Sequence, residues 1–167
     1  MSRSSASVLF RALPEQLKFS AEEKQSIRNF ARTLSSRVAR RPFVCVISAD
    51  AELRHLNRVF RAKDYPTDVL SFCSRKGAGE PGEMIISAER AAAQAREFGH
   101  ERVHEICIFM LHGVLHLSGM DHERDGGKMA RAERQWREEL GLTSSLIARS
   151  TTSKFAGSRA APARATR

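Results

Sequence analysis

At 167 residues, with 41% hydrophobic and 28% charged content, the chain suits one soluble globular domain with room for a sizeable core. No apolar run approaches the ~20 residues that cross a bilayer, so a spanning anchor is excluded and a cytoplasmic, membrane-free protein is expected. Lys and Arg outnumber Asp and Glu 28 to 19, a formal +9 that suits a polyanionic partner such as RNA or DNA.

The opening MSRSSASVLFRALP carries Arg and Ser and no acid, as transit peptides do. Core-like sequence follows at once, and an early strand over 7–13 is the simpler reading. Ser20 and Glu23 form a capping-box pattern, with Ile27, Phe30, Ala31, Leu34 and Val38 behind it at helical spacing up to Pro42. Phe43 to Ile47 is continuously apolar and reads as a buried strand. Leu53, Leu56 and Phe60 line one face of a second helix, whose C-terminal end carries Arg58 and Arg61.

Asp64-Tyr-Pro66 signals a turn and Val69 to Phe72 a strand. Gly77, Gly79, Pro81 and Gly82 predict a loop, with a short strand over 84–86. Ala88, Ala91, Ala92, Ala95 and Phe98 share one side of a third helix ending at Gly99. From Val103 to Leu117 the chain is apolar nearly all round, which predicts a buried central helix. A last helix over 127–140 groups Met129, Ala132 and Trp136 and stops at Gly141. Residues 144–167 hold Arg149, Lys154, Arg159, Arg164, Arg167 and no acid, leaving 23 bases against 19 acids, or +4, for the rest. That segment lacks periodicity and is predicted to be a disordered basic tail. The body, residues 1–143, is predicted to be an α+β domain. It has a small mixed sheet of about four strands and about five helices, with a zincin-like central helix.

Three of the six histidines fall within eleven residues, in the run H-G-V-L-H-L-S-G-M-D-H. Four residues apart on a helix, His112 and His116 project from one face and can share one ion. Gly119 can end the helix in a left-handed turn that returns His122 as a third ligand. Three protein ligands leave one position open on a tetrahedral ion such as zinc, as in catalytic sites. Three imidazoles also accept nickel, copper or iron. His55, His100 and His104 lack this geometry and suit surface or capping roles. Cys45, Cys73 and Cys107 are odd in number, lie in apolar runs, and read as small buried hydrophobes of a reducing compartment.

The spacing fits H-E-x-x-H-x-x-G-x-x-H of zinc proteases except that Gly113 stands where they carry the general-base Glu. Glycine inside a helix costs about 1 kcal/mol relative to alanine, which predicts a close approach there by substrate or neighbouring backbone.

The same run resembles the H-G-x-L-H-L-x-G-x-D-H signature of the YbeY family, bacterial endoribonucleases of ribosomal RNA maturation. Leu56 to Phe72, L-N-R-V-F-R-A-K-D-Y-P-T-D-V-L-S-F, is similar to a second family block, and Gly82 to Ser87, G-E-M-I-I-S, to a third. The resemblance spans about residues 43–140. It implies one zinc ion on His112, His116 and His122, and a functional arginine at Arg61. It also implies processing of the small-subunit RNA 3′ end and ribosome quality control, with ribosomal or assembly-factor partners. Ala62, Cys73 and Glu83 depart from residues common in the family, and the basic tail lies beyond the resemblance.

On that reading Arg61 binds the scissile phosphate and the metal activates water or polarises a phosphoryl oxygen. Asp121 is expected to orient an imidazole, and Glu123 is a weaker candidate for the base. The RNA 2′-hydroxyl is the alternative nucleophile. Lys63 is a possible phosphate contact, while Asp68 reads as a turn cap. The rival readings are a non-catalytic assembly factor with structural zinc and, less favoured, a zinc peptidase.

Overall fold

The computed structural model of the chain describes residues 5–73 and 81–142. The expected tail at 144–167 and the loop glycines Gly77 and Gly79 lie outside the described residues. Four strands, β1 (Ser7–Phe10), β2 (Phe43–Ser48), β3 (Val69–Phe72) and β4 (Gly82–Ser87), make one sheet in the order β1-β2-β4-β3. β1, β2 and β4 run parallel and β3 pairs antiparallel with β4, so the sheet is mixed as predicted. Five helices accompany it: α1 (Ala21–Leu34), α2 (Asp50–Arg61), α3 (Ala88–Phe98), α4 (Arg102–Leu117) and α5 (Lys128–Glu139).

Strand alternation sorts the apolar runs onto two faces. Cys45, Ile47, Met84, Ile86 and Val69 join the larger core with Ile27, Ala31 and Leu34 of α1 and most of α4. Val46 and Ile85 point the other way and meet Leu53 of α2 in a much smaller cluster. Both faces are therefore covered, which is why β2 reads as continuous apolar sequence rather than an alternating one. Ile106, Ile108, Phe109, Met110 and Leu111 of α4 are all buried, because the helix sits between α1, α3 and the sheet.

Local signals set several boundaries. Ser20 Oγ accepts from the Glu23 amide at 3.1 Å and the Glu23 carboxylate accepts from the Ser20 amide at 2.9 Å, closing the capping box on α1. The α-helix does not run to Pro42. It ends at Leu34, widens into a π turn over Ser35–Ala39, and stops where Arg40 turns left-handed at φ 57°. The first strand is shorter than the predicted 7–13, and the fourth is longer than 84–86 because Gly82 belongs to it.

Gly82 and Gly113 explain how α4 lies so close to the sheet. A Cβ on Gly82 would come within 2.8 Å of Leu117 Cδ2, and one on Gly113 within 2.8 Å of Met84 Sδ. Ser71 Oγ would stand 3.4 Å from the latter. The close approach expected at Gly113 is present, and the protein atoms that make it belong to core side chains, Met84 of β4 first, rather than to neighbouring backbone.

Candidate metal centre

The C-terminal half of α4 carries His112 and His116 on one face, both buried. The helix is stopped by Gly119, at φ 92°, with its amide bonded to the His116 carbonyl at 2.9 Å and the Met120 amide to the Leu115 carbonyl at 3.1 Å. Arg41 donates to the Leu117 carbonyl and satisfies another acceptor of that last turn. The turn brings back His122, which is more exposed than the other two.

The three rings converge. Their centroids are 4.7, 5.4 and 5.8 Å apart, and one nitrogen from each lies within 4.8 Å of the others. His112 Nε2 and His116 Nε2 are 3.0 Å apart. A tetrahedral ion with metal–nitrogen bonds of about 2.0–2.1 Å needs ligand atoms about 3.3 Å apart, close to the spacing of the two helical imidazoles. The donor set fits zinc, and among the described residues no fourth His, Cys, Asp or Glu joins the group. Three protein ligands would leave one position of a tetrahedral ion open.

The far ring nitrogens are held by other elements. His116 Nδ1 meets the Met120 carbonyl oxygen at 3.0 Å, so the turn that ends the helix also orients a ligand. His112 Nδ1 lies 3.3 Å from Glu133 Oε2, and Arg137 Nη2 donates to Glu133 Oε1 at 2.9 Å. Glu133 and Arg137 are themselves buried on α5. Burial alone would raise the Glu133 carboxyl, but His112 and Arg137 more than reverse this and hold it at about 2. Each of these contacts leaves Nε2 to face the common centre.

Asp121 accepts from the Glu123 amide at 3.1 Å and shapes the loop beside His122, and a carboxylate that meets an imidazole directly is that of Glu133. The sequence holds one clue to this. Glu133 and Arg137 fall on the same side of α5 as Met129 and Trp136, where two charges belong only if buried and paired.

Arg61 closes α2, partly buried. Burial lowers the proton affinity of its guanidinium, while Tyr65 and Glu123 raise it. Glu123 follows His122 directly, so its pull on Arg61 links the end of α2 to the histidine loop. Asn57 Nδ2 donates to the Tyr65 carbonyl at 2.8 Å and the Lys63 amide to the Asn57 carbonyl at 3.2 Å, pinning the turn beyond Arg61. Ala62, in that turn, sits left-handed at φ 54°.

Other candidates stand apart. Asp68 takes a hydrogen bond from Gln94 at 3.2 Å and lies 3.6 Å from Arg90, which ties β3 to α3 rather than to the histidines. His55 is exposed, and His100 and His104 pair with each other at 4.9 Å between ring centroids. Cys45 and Cys107 are buried thiols, the latter pushed up to about 12 by burial. Cys73 differs: it is only half-buried, and its thiol donates to the His116 carbonyl at 3.6 Å.

Fold and site together define an α+β protein with a three-histidine centre, built on a buried helix and able to hold one metal ion. Residues 14–141 match the family described as Endoribonuclease YbeY. The chain is 54% identical over 145 residues to an Endoribonuclease YbeY of Solibacter usitatus, covering 86% of this chain and 94% of that one. It is 53% identical over 108 residues to one of Koribacter versatilis, 65% of this chain and 70% of the relative. A Thermotoga maritima protein solved in solution has a similar fold, with TM-score 0.50 at 24% identity over 84% of this chain and 97% of the other. The chain belongs to the YbeY endoribonuclease family.

Proposed function

We propose that the chain is a zinc-dependent endoribonuclease that cuts single-stranded RNA, acting in the cytoplasm on the 3′ end of the small-subunit ribosomal RNA and in ribosome quality control. Ribosomal particles or assembly factors are its partners, and residues 1–143 form its catalytic domain. The observation that carries the reading is the three-imidazole centre, in a chain of an endoribonuclease family.

His112, His116 and His122 hold the ion. A zinc ion there supplies Lewis acidity toward water or a phosphoryl oxygen. Glu133 and the Met120 carbonyl keep the two helical imidazoles turned inward. Arg61 takes the scissile phosphate with a planar, always-charged fork and offsets the charge that grows there during cleavage. Either water or the RNA 2′-hydroxyl is the nucleophile, and Glu123 is the weaker candidate for the base that receives its proton. A peptidase is disfavoured because the helix position that would carry a general-base Glu is Gly113, and the space beyond it is filled by Met84.

The test is cleavage of a single-stranded RNA from the small-subunit 3′ end by wild type, His116→Ala and Arg61→Ala, with metal content measured on each. His116→Ala is expected to lose both metal and cleavage. Arg61→Ala should keep its metal and lose about a hundredfold or more in kcat. Terminal 2′,3′-cyclic phosphate on the products identifies the 2′-hydroxyl as nucleophile. Identical behaviour of all three preparations would sink the ribonuclease reading and leave a non-catalytic assembly factor.

A further inference from the structure

Leu9, Val59, Phe60 and Tyr65 are the large hydrophobic side chains left exposed among the described residues. Three of them crowd the stretch 59–65 around Arg61, with Phe60 61% exposed, Val59 59% and Tyr65 38%. Phe60 was expected on the buried face of α2. Its ring instead leans on Phe72 in an edge-on contact, with centroids 5.3 Å apart, and keeps most of its surface in water. The ring is braced by the small core without being part of it.

The surroundings are cationic. Residues 54–65 hold Arg54, Arg58, Arg61 and Lys63 against the single carboxylate of Asp64. Asp64 is shared by Arg54 and Arg58, at 2.9 Å each, so one negative charge faces two guanidiniums. Lys63 has no carboxylate partner among the described residues. The backbone presenting these groups is fixed by the left-handed Ala62 and the Asn57–Tyr65 hydrogen bond. Protein-docking patches concentrate apolar groups at a centre depleted of charge, whereas here the exposed rings share one short stretch with three arginines and a lysine. Aromatic faces set in positive charge are the way single-stranded nucleic acid is gripped without sequence preference.

We propose that Phe60 and Tyr65 each stack a base of single-stranded RNA, while Arg58 and Lys63 hold the adjoining phosphates and so feed the strand past Arg61 toward the histidines. The inference rests on the ribonuclease reading above and adds the surface that selects unpaired RNA. Bases in a duplex already stack on their neighbours, so this surface discriminates against paired substrate.

The experiment measures binding and cleavage of a short single-stranded RNA by wild type, Phe60→Ala, Tyr65→Ala and Phe60→Trp. Each RNA position is also replaced in turn by an abasic nucleotide, and metal content is checked throughout. Phe60→Ala should weaken binding roughly fivefold to a hundredfold, and Tyr65→Ala similarly, with the loss falling in KM rather than kcat. Phe60→Trp should restore binding, and one abasic position should weaken wild type but cost Phe60→Ala nothing further. Wild-type affinity in both alanine variants overturns the inference while leaving the ribonuclease reading intact. So does a change in oligomeric state with RNA affinity unmoved, which would make this face a protein contact. Failure of wild type itself to bind or cut RNA defeats both.

Discussion

The two sides of the sheet treat their functional residues differently. On the α4 face, His112 and His116 project from a helix buried along most of its length, and a buried Glu133–Arg137 pair from α5 fixes one ring. On the α2 face, Arg61 ends a helix seated on little more than Val46, Leu53 and Ile85, next to a left-handed alanine and an exposed phenylalanine. Metal ligands must be held to within a few tenths of an ångström, which demands packed surroundings and oriented rings. A strand of RNA varies in sequence and shape, so its contacts belong on accessible side chains over a firm but thin base. The fold thus separates a centre made rigid by burial from a substrate surface made accessible by shallow packing.

Substitutions at the deep side should therefore act strongly and through the metal, and those at the shallow side more gently. Glu133→Gln is expected to have the largest effect of the three considered next. It should lower metal affinity about ten- to a hundredfold in a chelator competition. By leaving Arg137 buried without its counter-charge, it should also cost about 3 kcal/mol in urea unfolding. Because the Glu133 carboxyl is held at about 2, below its unfolded value near ~4.3, its stabilisation is complete above that unfolded value and fades as pH falls toward 2. The variant should lack that part of the pH slope, and overlaid chelator curves would mean that the carboxylate does not support the ligand.

Gly113→Ala tests the packing beneath the centre. Alanine gains about 1 kcal/mol of helix propensity, but crowding Met84 in a full core costs about 1–3 kcal/mol, so a net loss near 1 kcal/mol is expected. A raised unfolding midpoint would show that Met84 moves aside freely. The smallest effect belongs to the shallow side. Ala62→Gly should stabilise the chain by about 0.5 kcal/mol, because removing a Cβ from a left-handed turn gains about 1–2 kcal/mol and glycine's freedom in the unfolded chain takes back about 0.5–1. An unchanged midpoint would mean that the turn after Arg61 carries no strain to relieve.

Much of this was legible in the residues alone. The i, i+4 histidines, the glycine turn, the capping box at Ser20 and the apolar run of α4 are local signals, set by chain geometry over a few residues. They located the helices and brought His112, His116 and His122 toward one point before any tertiary contact was considered. The class of fold and the order of most elements followed for the same reason. What the sequence left undecided depends on groups far apart along the chain. Glu133 lies 21 residues from His112 and becomes its partner only because α5 packs on α4. Met84 limits Gly113 only because β4 sits under α4. Periodicity put Phe60 on the apolar face of its helix, but the core beneath α2 is too small to reach it, and the ring was left outside. Periodicity states which side chains share a face. Only the packed structure decides how much of that face is covered, and by what.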